Sequence, residues 1–158
     1  MPERAAPAPA APASGAVAVL VLAFDYGQRR IGVGCGDTVS RTAAPLGSVA
    51  AGASGPRWDA IDSLMREWRP AMAVVGLPYN VDGTESAVTD AARGFARELT
   101  SRYALPVRLV DERYSSLEAG TRLKAARESG IRKRRVRKED VDAAAACIVL
   151  ERWFTEKT

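Results

Sequence analysis

Three carboxylates in this sequence stand where an active site is expected to form: Asp25, Glu112 and Asp142. Asp25 ends the first predicted strand, Glu112 ends the last one, and Asp142 lies one turn into the final helix. The carboxyl ends of neighbouring parallel strands border the crevice in which such sheets bind ligands. Taken singly, each acid has an ordinary structural role. Asp25 suits a turn, Glu112 a salt bridge and Asp142 the first turn of a helix. Together they predict a catalytic metal site.

The composition favours a hard metal ion at these acids. The chain has no histidine, and its two cysteines, Cys35 and Cys147, are too few for a zinc site or a disulfide scaffold. Carboxylate oxygens are the ligands that Mg²⁺ prefers, with Mn²⁺ as a substitute. Two such ions about 4 Å apart would stabilise the attacking and leaving oxygens of a phosphodiester displacement. The acids therefore predict a hydrolase of the two-metal-ion nuclease type.

The elements that must position the acids follow the order β-β-β-α-β-α-β-α-α, from apolar periodicity and turn signals. The predicted strands are Val17–Asp25, Arg30–Gly36, Ala43–Ala50, Ala71–Gly76 and Val107–Val110. The predicted helices are Trp58–Trp68, Glu85–Tyr103, Ser115–Ser129 and Lys138–Phe154. An antiparallel meander followed by parallel strands with helical crossovers predicts an α/β fold, with one mixed sheet and helices on both faces.

The length of 158 residues suits one domain. Residues 1–15 are rich in Ala and Pro and are expected to form a disordered tail, which leaves residues 16–158 as the single domain. No run of about 18 apolar residues occurs, so no membrane association is expected. Free cysteines agree with a cytoplasmic location, where such residues are mostly small buried hydrophobes.

The positive charge of the chain is concentrated in one segment. Nine basic residues and one acid, Glu128, lie between Arg122 and Lys138, whereas the rest of the chain has 14 basic and 18 acidic residues. A local basic patch of this kind favours structured nucleic acid as the partner over a merely solvated loop.

Several motifs occur in the order of a known family. They are Phe24-Asp25-Tyr26-Gly27-Gln28-Arg29-Arg30-Ile31-Gly32-Val33, Gly76-Leu77-Pro78 with Asp82-Gly83-Thr84, Asp111-Glu112-Arg113-Tyr114-Ser115-Ser116, and Val141-Asp142-Ala143-Ala144-Ala145. With these motifs the chain resembles the YqgF family, also called RuvX, over about residues 19–155. That family is similar in fold to the RuvC Holliday junction resolvases and to ribonuclease H. Four ordered motifs over one domain are a specific signal.

The resemblance implies that Asp25, Glu112 and Asp142 are the catalytic acids and metal ligands. It also implies a ribonuclease H-like nuclease that matures the 5′ end of pre-16S ribosomal RNA in ribosome biogenesis. The alternative is a Holliday junction resolvase in DNA recombination and repair. Symmetric cutting of a four-way junction needs two active sites, so this alternative requires a homodimer. Pre-rRNA and branched DNA are both structured nucleic acids, and the sequence does not choose between them.

Two other classes of function compete with a nuclease. Sugar and acetate kinases carry an Asp-x-Gly phosphate loop like Asp25-Tyr26-Gly27, but they need two such domains with the nucleotide between them. A non-catalytic nucleic-acid-binding protein would keep the fold and lose the chemistry. The presence of all three acids argues against simple degeneration. Loss of cleavage without loss of binding, on removal of the acids, would distinguish a nuclease from a pure binder.

Basic side chains beside the acids are candidates for phosphate contact. The residues expected to bind nucleic acid are Arg29, Arg30, Arg113, Arg132, Lys133, Arg134, Arg135, Arg137 and Lys138. Arg113 has an alternative role, which is to pair with an acid and hold the site.

The loop after Gly76 has two interpretations. Its polar residues Asn80, Thr84 and Ser86 suit phosphate contact near a helix N-terminus. In the structural interpretation Gly76 and Pro78 form the strand-to-helix turn, and Thr84 caps the helix.

Small and acidic residues near the three acids suggest further roles. Gly27 is expected to leave open space for a phosphate, and the small residues Ala143–Ala146 to let the final helix approach the sheet. Glu139 is three residues before Asp142 on the same predicted helix face and is a candidate auxiliary ligand, whereas Asp140 is predicted to point away. A disulfide between chains through Cys35 or Cys147 is a further hypothesis.

Overall fold

A computed structural model of the chain describes residues 17–80, 82–111, 121–124 and 137–156. The strands are β1 (Leu20–Tyr26), β2 (Arg30–Asp37), β3 (Ala43–Gly52), β4 (Gly55–Pro56), β5 (Met72–Leu77) and β6 (Val107–Asp111). The helices are α1 (Trp58–Trp68), α2 (Ala87–Tyr103) and α3 (Lys138–Glu156), and residues 121–124 are also helical. The predicted tail and most of the helix predicted from Ser115 lie outside the described residues. Within them, no helix has the length and apolar character needed to cross a membrane.

The strands form one mixed sheet in the order β4-β3-β2-β1-β5-β6. The meander β1-β2-β3 is antiparallel, and β5 and β6 are added parallel to β1. This arrangement confirms the predicted fold class. The two-residue strand β4 was not predicted, because a pair of residues is too short to produce a periodic pattern.

Strand β1 separates two hydrophobic cores because its side chains alternate between the faces of the sheet. Leu22 and Phe24 are fully buried in the core that α1 and α2 cover. Val21 and Ala23 are fully buried in the core that α3 covers. The same alternation places the side chain of Asp25 on the face of the sheet that α3 covers. The helices lie on both faces, as predicted.

Helices α1 and α2 are joined by aromatic and polar contacts. The ring of Trp58 stacks on that of Phe95 with 5.5 Å between centroids, and the guanidinium of Arg102 lies 4.1 Å from the Trp58 ring. The hydroxyl of Tyr103 donates a hydrogen bond to the carboxylate of Asp62 at 2.5 Å. The pKa of Tyr103 is raised above its ordinary range. Burial is the larger cause, and this hydrogen bond is the second. The contacts fix the two helices to each other on one face of the sheet.

The start of α2 differs from the prediction. The helix begins at Ala87, and its N-cap is Ser86 rather than Thr84. The Ser86 hydroxyl accepts a bond from the Thr89 amide, and the Thr89 hydroxyl accepts one from the Ser86 amide. The Thr89 hydroxyl also donates to the carbonyl oxygen of Pro78 at 2.6 Å. This reciprocal capping satisfies amides that the first turn leaves without a helical partner, and it determines where α2 begins.

Replacing Tyr103 with Phe is expected to lower the free energy of unfolding by about 1–2 kcal/mol, because Asp62 loses its hydrogen-bond donor. The raised pKa adds a pH dependence. Above about pH 10 the unfolded wild-type tyrosine ionises while the folded one does not, so wild-type stability falls. The difference between the two proteins is therefore expected to shrink above that pH.

Urea unfolding on either side of about pH 10 measures both effects. The matched control is Tyr26→Phe, since no described residue hydrogen-bonds to the Tyr26 hydroxyl. Equal stability of Tyr103→Phe and wild type at neutral pH would contradict the proposed role of the hydrogen bond.

Candidate active site

Asp25 is a buried carboxylate near the end of β1, with 9% of its surface exposed. Its Cα is paired with Gly32 on β2 and with Gly76 on β5. Neither neighbouring strand therefore places a Cβ beside the carboxylate. A carboxylate that has lost most of its hydration is stable only with hydrogen-bonding or cationic partners. A divalent cation is one partner that would satisfy such a carboxylate.

Asp142 reaches the same face of the sheet from α3. A Cβ added to Gly32 would lie 1.9 Å from the carbonyl oxygen of Asp142 and 3.1 Å from its Cα. Only glycine lets the helix backbone rest on β2 at this point. Because directly paired residues of neighbouring strands point to the same side of a sheet, Asp25 and the absent side chain of Gly32 share one face. The structure thus brings Asp25 and Asp142 to the same face on either side of Gly32.

Two more glycines of β2 repeat this close approach. A Cβ on Gly34 would lie 3.1 Å from the sulfur of Cys147, and a Cβ on Gly36 would lie 3.0 Å from a methyl carbon of Leu150. The small residues of the helix were predicted to allow its approach, whereas the matching glycines of the strand were not predicted. Their spacing at every second residue of one strand was the available signal, since it places all three on one face.

The third predicted acid, Glu112, and its neighbour Arg113 lie outside the described residues. Strand β6 is described up to Asp111, and Val110 is buried on the α3 face. Val110 is paired with Gly76, which is in turn paired with Asp25. Among the described residues no three acidic or cysteine side chains cluster closely enough to hold a metal ion.

Arg30 was predicted to contact phosphate, and the structure adds a role that the sequence did not suggest. Its Nε donates a hydrogen bond to Oδ2 of Asp142 at 2.5 Å, across 112 residues of sequence. The Arg30 side chain is 35% exposed and that of Asp142 is 18% exposed. Arg30 and Gly32 are alternate residues of β2, so both face α3. The local result is an ion pair at the start of α3, on the face of the sheet that also carries Asp25.

The other basic residues predicted to bind nucleic acid divide into two groups. Arg29, Arg137 and Lys138 are exposed, and each lies within a few residues of Asp25 or Asp142 in the sequence. The second group lies outside the described residues and comprises Arg132, Lys133, Arg134 and Arg135.

The loop after β5 is stabilised by its own polar side chains. The Asn80 amide donates to the Thr84 hydroxyl at 2.9 Å, and the Thr84 backbone amide donates to the Asp82 carboxylate at 3.0 Å. With Ser86 acting as the helix cap, the three polar residues have structural partners. These bonds favour the structural interpretation of the loop, with Ser86 in the capping role predicted for Thr84.

Two predictions about neighbouring residues need a different physical explanation. A Cβ on Gly27 would lie 2.6 Å from the carbonyl oxygen of Arg30, so glycine is needed to close the β1–β2 turn rather than to leave open space.

Glu139 and Asp140 both border a groove of about 260 Å³ beside β3, instead of lying on opposite sides of α3. The Asp140 carboxylate accepts a hydrogen bond from the backbone amide of Arg137 at 2.9 Å and caps the helix start.

The two cysteines are buried on opposite faces of the sheet. Cys35 is paired with Leu22 in the core beneath α1 and α2, whereas Cys147 lies on α3 against Gly34. Burial raises the pKa of both thiols, that of Cys147 to about 12. An internal disulfide is excluded by this placement. Buried thiols with raised pKa values are poor nucleophiles, which argues against a disulfide between chains.

The mixed sheet with helices on both faces, carrying one acid on its central strand and another on α3, defines the class of protein as a ribonuclease H-like α/β protein. Solved structures agree with this fold. A Thermus thermophilus RuvC in complex with a Holliday junction substrate aligns with a TM-score of 0.52 and 19% identity over 88% of this chain and 95% of that one. A second Thermus thermophilus RuvC structure aligns with a TM-score of 0.50 and 16% identity, over 87% and 95% of the two chains.

The chain belongs to the RuvX family, described as Holliday junction resolvase, whose model matches residues 19–156. A relative from Xanthomonas oryzae pv. oryzae is 47% identical over 85% of this chain and 86% of its own length. Another from Legionella pneumophila is 42% identical over 85% and 94% of the two chains. Both relatives are named as candidate pre-16S rRNA nucleases. The predicted family and activity class, a nuclease that hydrolyses phosphodiester bonds, are confirmed, and the kinase alternative is not supported.

Replacing Gly32 with Ala is expected to destabilise the protein by about 3 kcal/mol, because the new methyl group would overlap the Asp142 backbone and push α3 from β2. Urea unfolding measures the loss. The matched control is Gly52→Ala, since a Cβ at Gly52 meets no atom within 4 Å. Stability of the Gly32 variant equal to that of the control would contradict the close packing of α3 on β2.

Proposed function

We propose that this protein is a metal-dependent nuclease that processes the 5′ end of pre-16S ribosomal RNA. The observation that supports this function best is the placement of Asp25 and Asp142 on one face of the sheet at Gly32. Asp25 arrives from the central strand and Asp142 from a helix 117 residues further along the chain. The names of the relatives support the RNA substrate.

The donor set at this position fits a hard divalent cation. Asp25 is a buried carboxylate, and Asp142 uses one oxygen for Arg30 while no described residue hydrogen-bonds to the other. Carboxylate oxygens in a partly dehydrated setting are suited to Mg²⁺, with Mn²⁺ as a substitute. Glu112 is proposed as a third ligand on the strength of the family motif. A bound ion or ion pair would neutralise the acids and stabilise charge on the phosphate during hydrolysis.

The basic residues around the acids are proposed to position the substrate. Arg29 is exposed in the turn after β1, and Arg137 and Lys138 are exposed at the start of α3. They therefore flank the two acids from both elements. The proposed interface extends to Arg113 and to the basic segment from Arg132 to Arg135. Arginine guanidinium groups pair well with phosphate oxygens, and such contacts orient a nucleic acid without reading its sequence.

The second candidate function is cleavage of four-way DNA junctions. The description of the matching family model favours it. This activity would require a homodimer, because two strands must be cut symmetrically. Processing of an RNA end needs one active site. The free, buried cysteines and the RNA substrate support a cytoplasmic location.

Substitution of the acids tests the catalytic proposal. In Mg²⁺, wild type is expected to cleave a pre-16S 5′-leader RNA faster than a four-way DNA junction. Asp25→Asn, Glu112→Gln and Asp142→Asn are expected to reduce cleavage by about 100-fold or more, because metal-assisted charge stabilisation supplies several kcal/mol. Labelled-substrate assays with Mg²⁺, Mn²⁺ or EDTA measure the rates.

The matched control is Asp59→Asn, which removes an exposed acid of α1 that is paired with Arg57. Faster cleavage of the junction would favour the second candidate function. Tight binding of both substrates with no cleavage in either metal would contradict the nuclease and favour a non-catalytic binding protein.

Arg29→Gln tests the proposed phosphate interface. Affinity for the leader RNA is expected to fall, and the slope of log affinity against log salt concentration to decrease by about 1, because one phosphate contact is lost. Filter binding in EDTA at several salt concentrations measures both. Arg57→Gln is the control, since Arg57 is an exposed arginine at the N-cap position before α1. An unchanged salt dependence in Arg29→Gln would contradict the contact.

A further inference from the structure

The ion pair between Arg30 and Asp142 has a geometry that leaves part of each group free. Nε of Arg30 binds Oδ2 of Asp142, and the described residues provide no further hydrogen bond to Oδ1 or to the terminal amines of Arg30. A bidentate arginine–carboxylate pair would engage two nitrogens and both oxygens. The single bond holds Asp142 by one oxygen only, and it leaves the 35% exposed Arg30 side chain able to reach a second anion.

The positions of both groups are determined by rigid elements. Arg30 begins β2, and Gly32, two residues later on the same face, contacts the backbone of Asp142. Helix α3 cannot slide along β2 without breaking this contact. The two side chains can therefore exchange partners by changes of rotamer, while the backbone that carries them stays in place.

We propose that Arg30 and a divalent cation compete for the carboxylate of Asp142. In the absence of metal the guanidinium neutralises Asp142 beside the buried Asp25. When a divalent cation takes the carboxylate, Arg30 turns its guanidinium to a phosphate oxygen of the bound nucleic acid. This inference rests on the proposed function, because it assumes that the cation site includes Asp142.

Electrostatics explains why the two cations exclude each other. A divalent ion on Asp142 and a guanidinium on the same carboxylate would be like charges a few ångströms apart, with limited screening at a partly buried site. Arginine does not lose its proton, so it can relieve the repulsion only by moving. A phosphate group offers the nearest alternative partner of suitable geometry.

The competition couples metal binding to substrate binding. A phosphate that draws Arg30 away from Asp142 raises the affinity of the site for the cation. By linkage, the cation raises the affinity for the phosphate by the same factor. The cation then binds mainly when nucleic acid is present. Cleavage is thereby limited to nucleic acid whose phosphate already contacts Arg30.

Metal binding without substrate tests the proposal independently of activity. Mn²⁺ binding is measured by titration calorimetry for wild type, Arg30→Gln and Arg30→Lys. Arg30→Gln is expected to bind Mn²⁺ about tenfold more tightly, because a competing positive charge is removed. Arg30→Lys retains the charge and is expected to stay within about threefold of wild type.

The matched control is Arg41→Gln. Arg41 also joins the sheet to α3, by a hydrogen bond to the carbonyl oxygen of Phe154, but at the opposite end of the helix. This variant is expected to lose a contact to α3 and to keep the wild-type affinity for Mn²⁺. Equal or weaker Mn²⁺ binding by Arg30→Gln would overturn the competition and leave Arg30 as a residue that only holds Asp142 in place.

A measurement on wild type keeps the test valid if Arg30→Gln does not fold. The ¹⁵Nε–H resonance of Arg30 is followed during titration with Mg²⁺, and it is expected to move toward the value of a solvated guanidinium as the ion pair opens. A resonance that stays unchanged at saturating Mg²⁺ would overturn the inference while leaving the proposed nuclease intact. Failure of folded wild type and of Arg30→Gln to bind either metal would contradict the proposed function itself.

Discussion

The contact between Gly32 and the backbone of Asp142 is the constraint on which the arrangement of the site depends. Strand β2 offers a surface without side chains at every second residue, and α3 rests directly on it. Any larger residue at Gly32 would separate the helix from the sheet. Because Asp25 is paired with Gly32, the distance between helix and sheet also determines how close Asp142 comes to Asp25. The packing of one glycine thus links the two acids.

The site is built at the border of two environments. Behind Asp25, Val21 and Ala23 are fully buried under α3 and exclude water from the centre of the sheet. In front of it lie the turn carrying Arg29 and the start of α3. Charge at Asp25 is consequently poorly hydrated, although the residue lies next to the exposed turn. Such a setting strengthens interactions with cations and with phosphate, and it makes an internal counterion such as Arg30 energetically favourable beside the acids.

The sequence predicted the elements well where the periodic signal was long. Helix α1 runs from Trp58 to Trp68 as predicted. Apolar residues at helical spacing continue to Trp68, and Pro70 stops the helix. The start of α2 was misplaced because both Thr84 and Ser86 are plausible caps. Only the bonds of Thr89 to Ser86 and to Pro78 distinguish them. Local patterns identify helices and strands. The residue at which a helix begins depends on contacts with residues elsewhere in the chain, and it is ambiguous where two residues of similar type could serve as the cap.

By itself the sequence determined the family and the order of the main elements, and it supplied the three acids as a prediction, since these follow from motifs, periodicity and chain order. The tertiary structure decided which face of β1 carries Asp25, that β2 supplies the glycine surface for α3, and that Arg30 pairs with Asp142. The physical reason is that these relations join residues more than 100 positions apart. Their contacts depend on how closely a helix packs on a sheet, and no local pattern of residues encodes that distance.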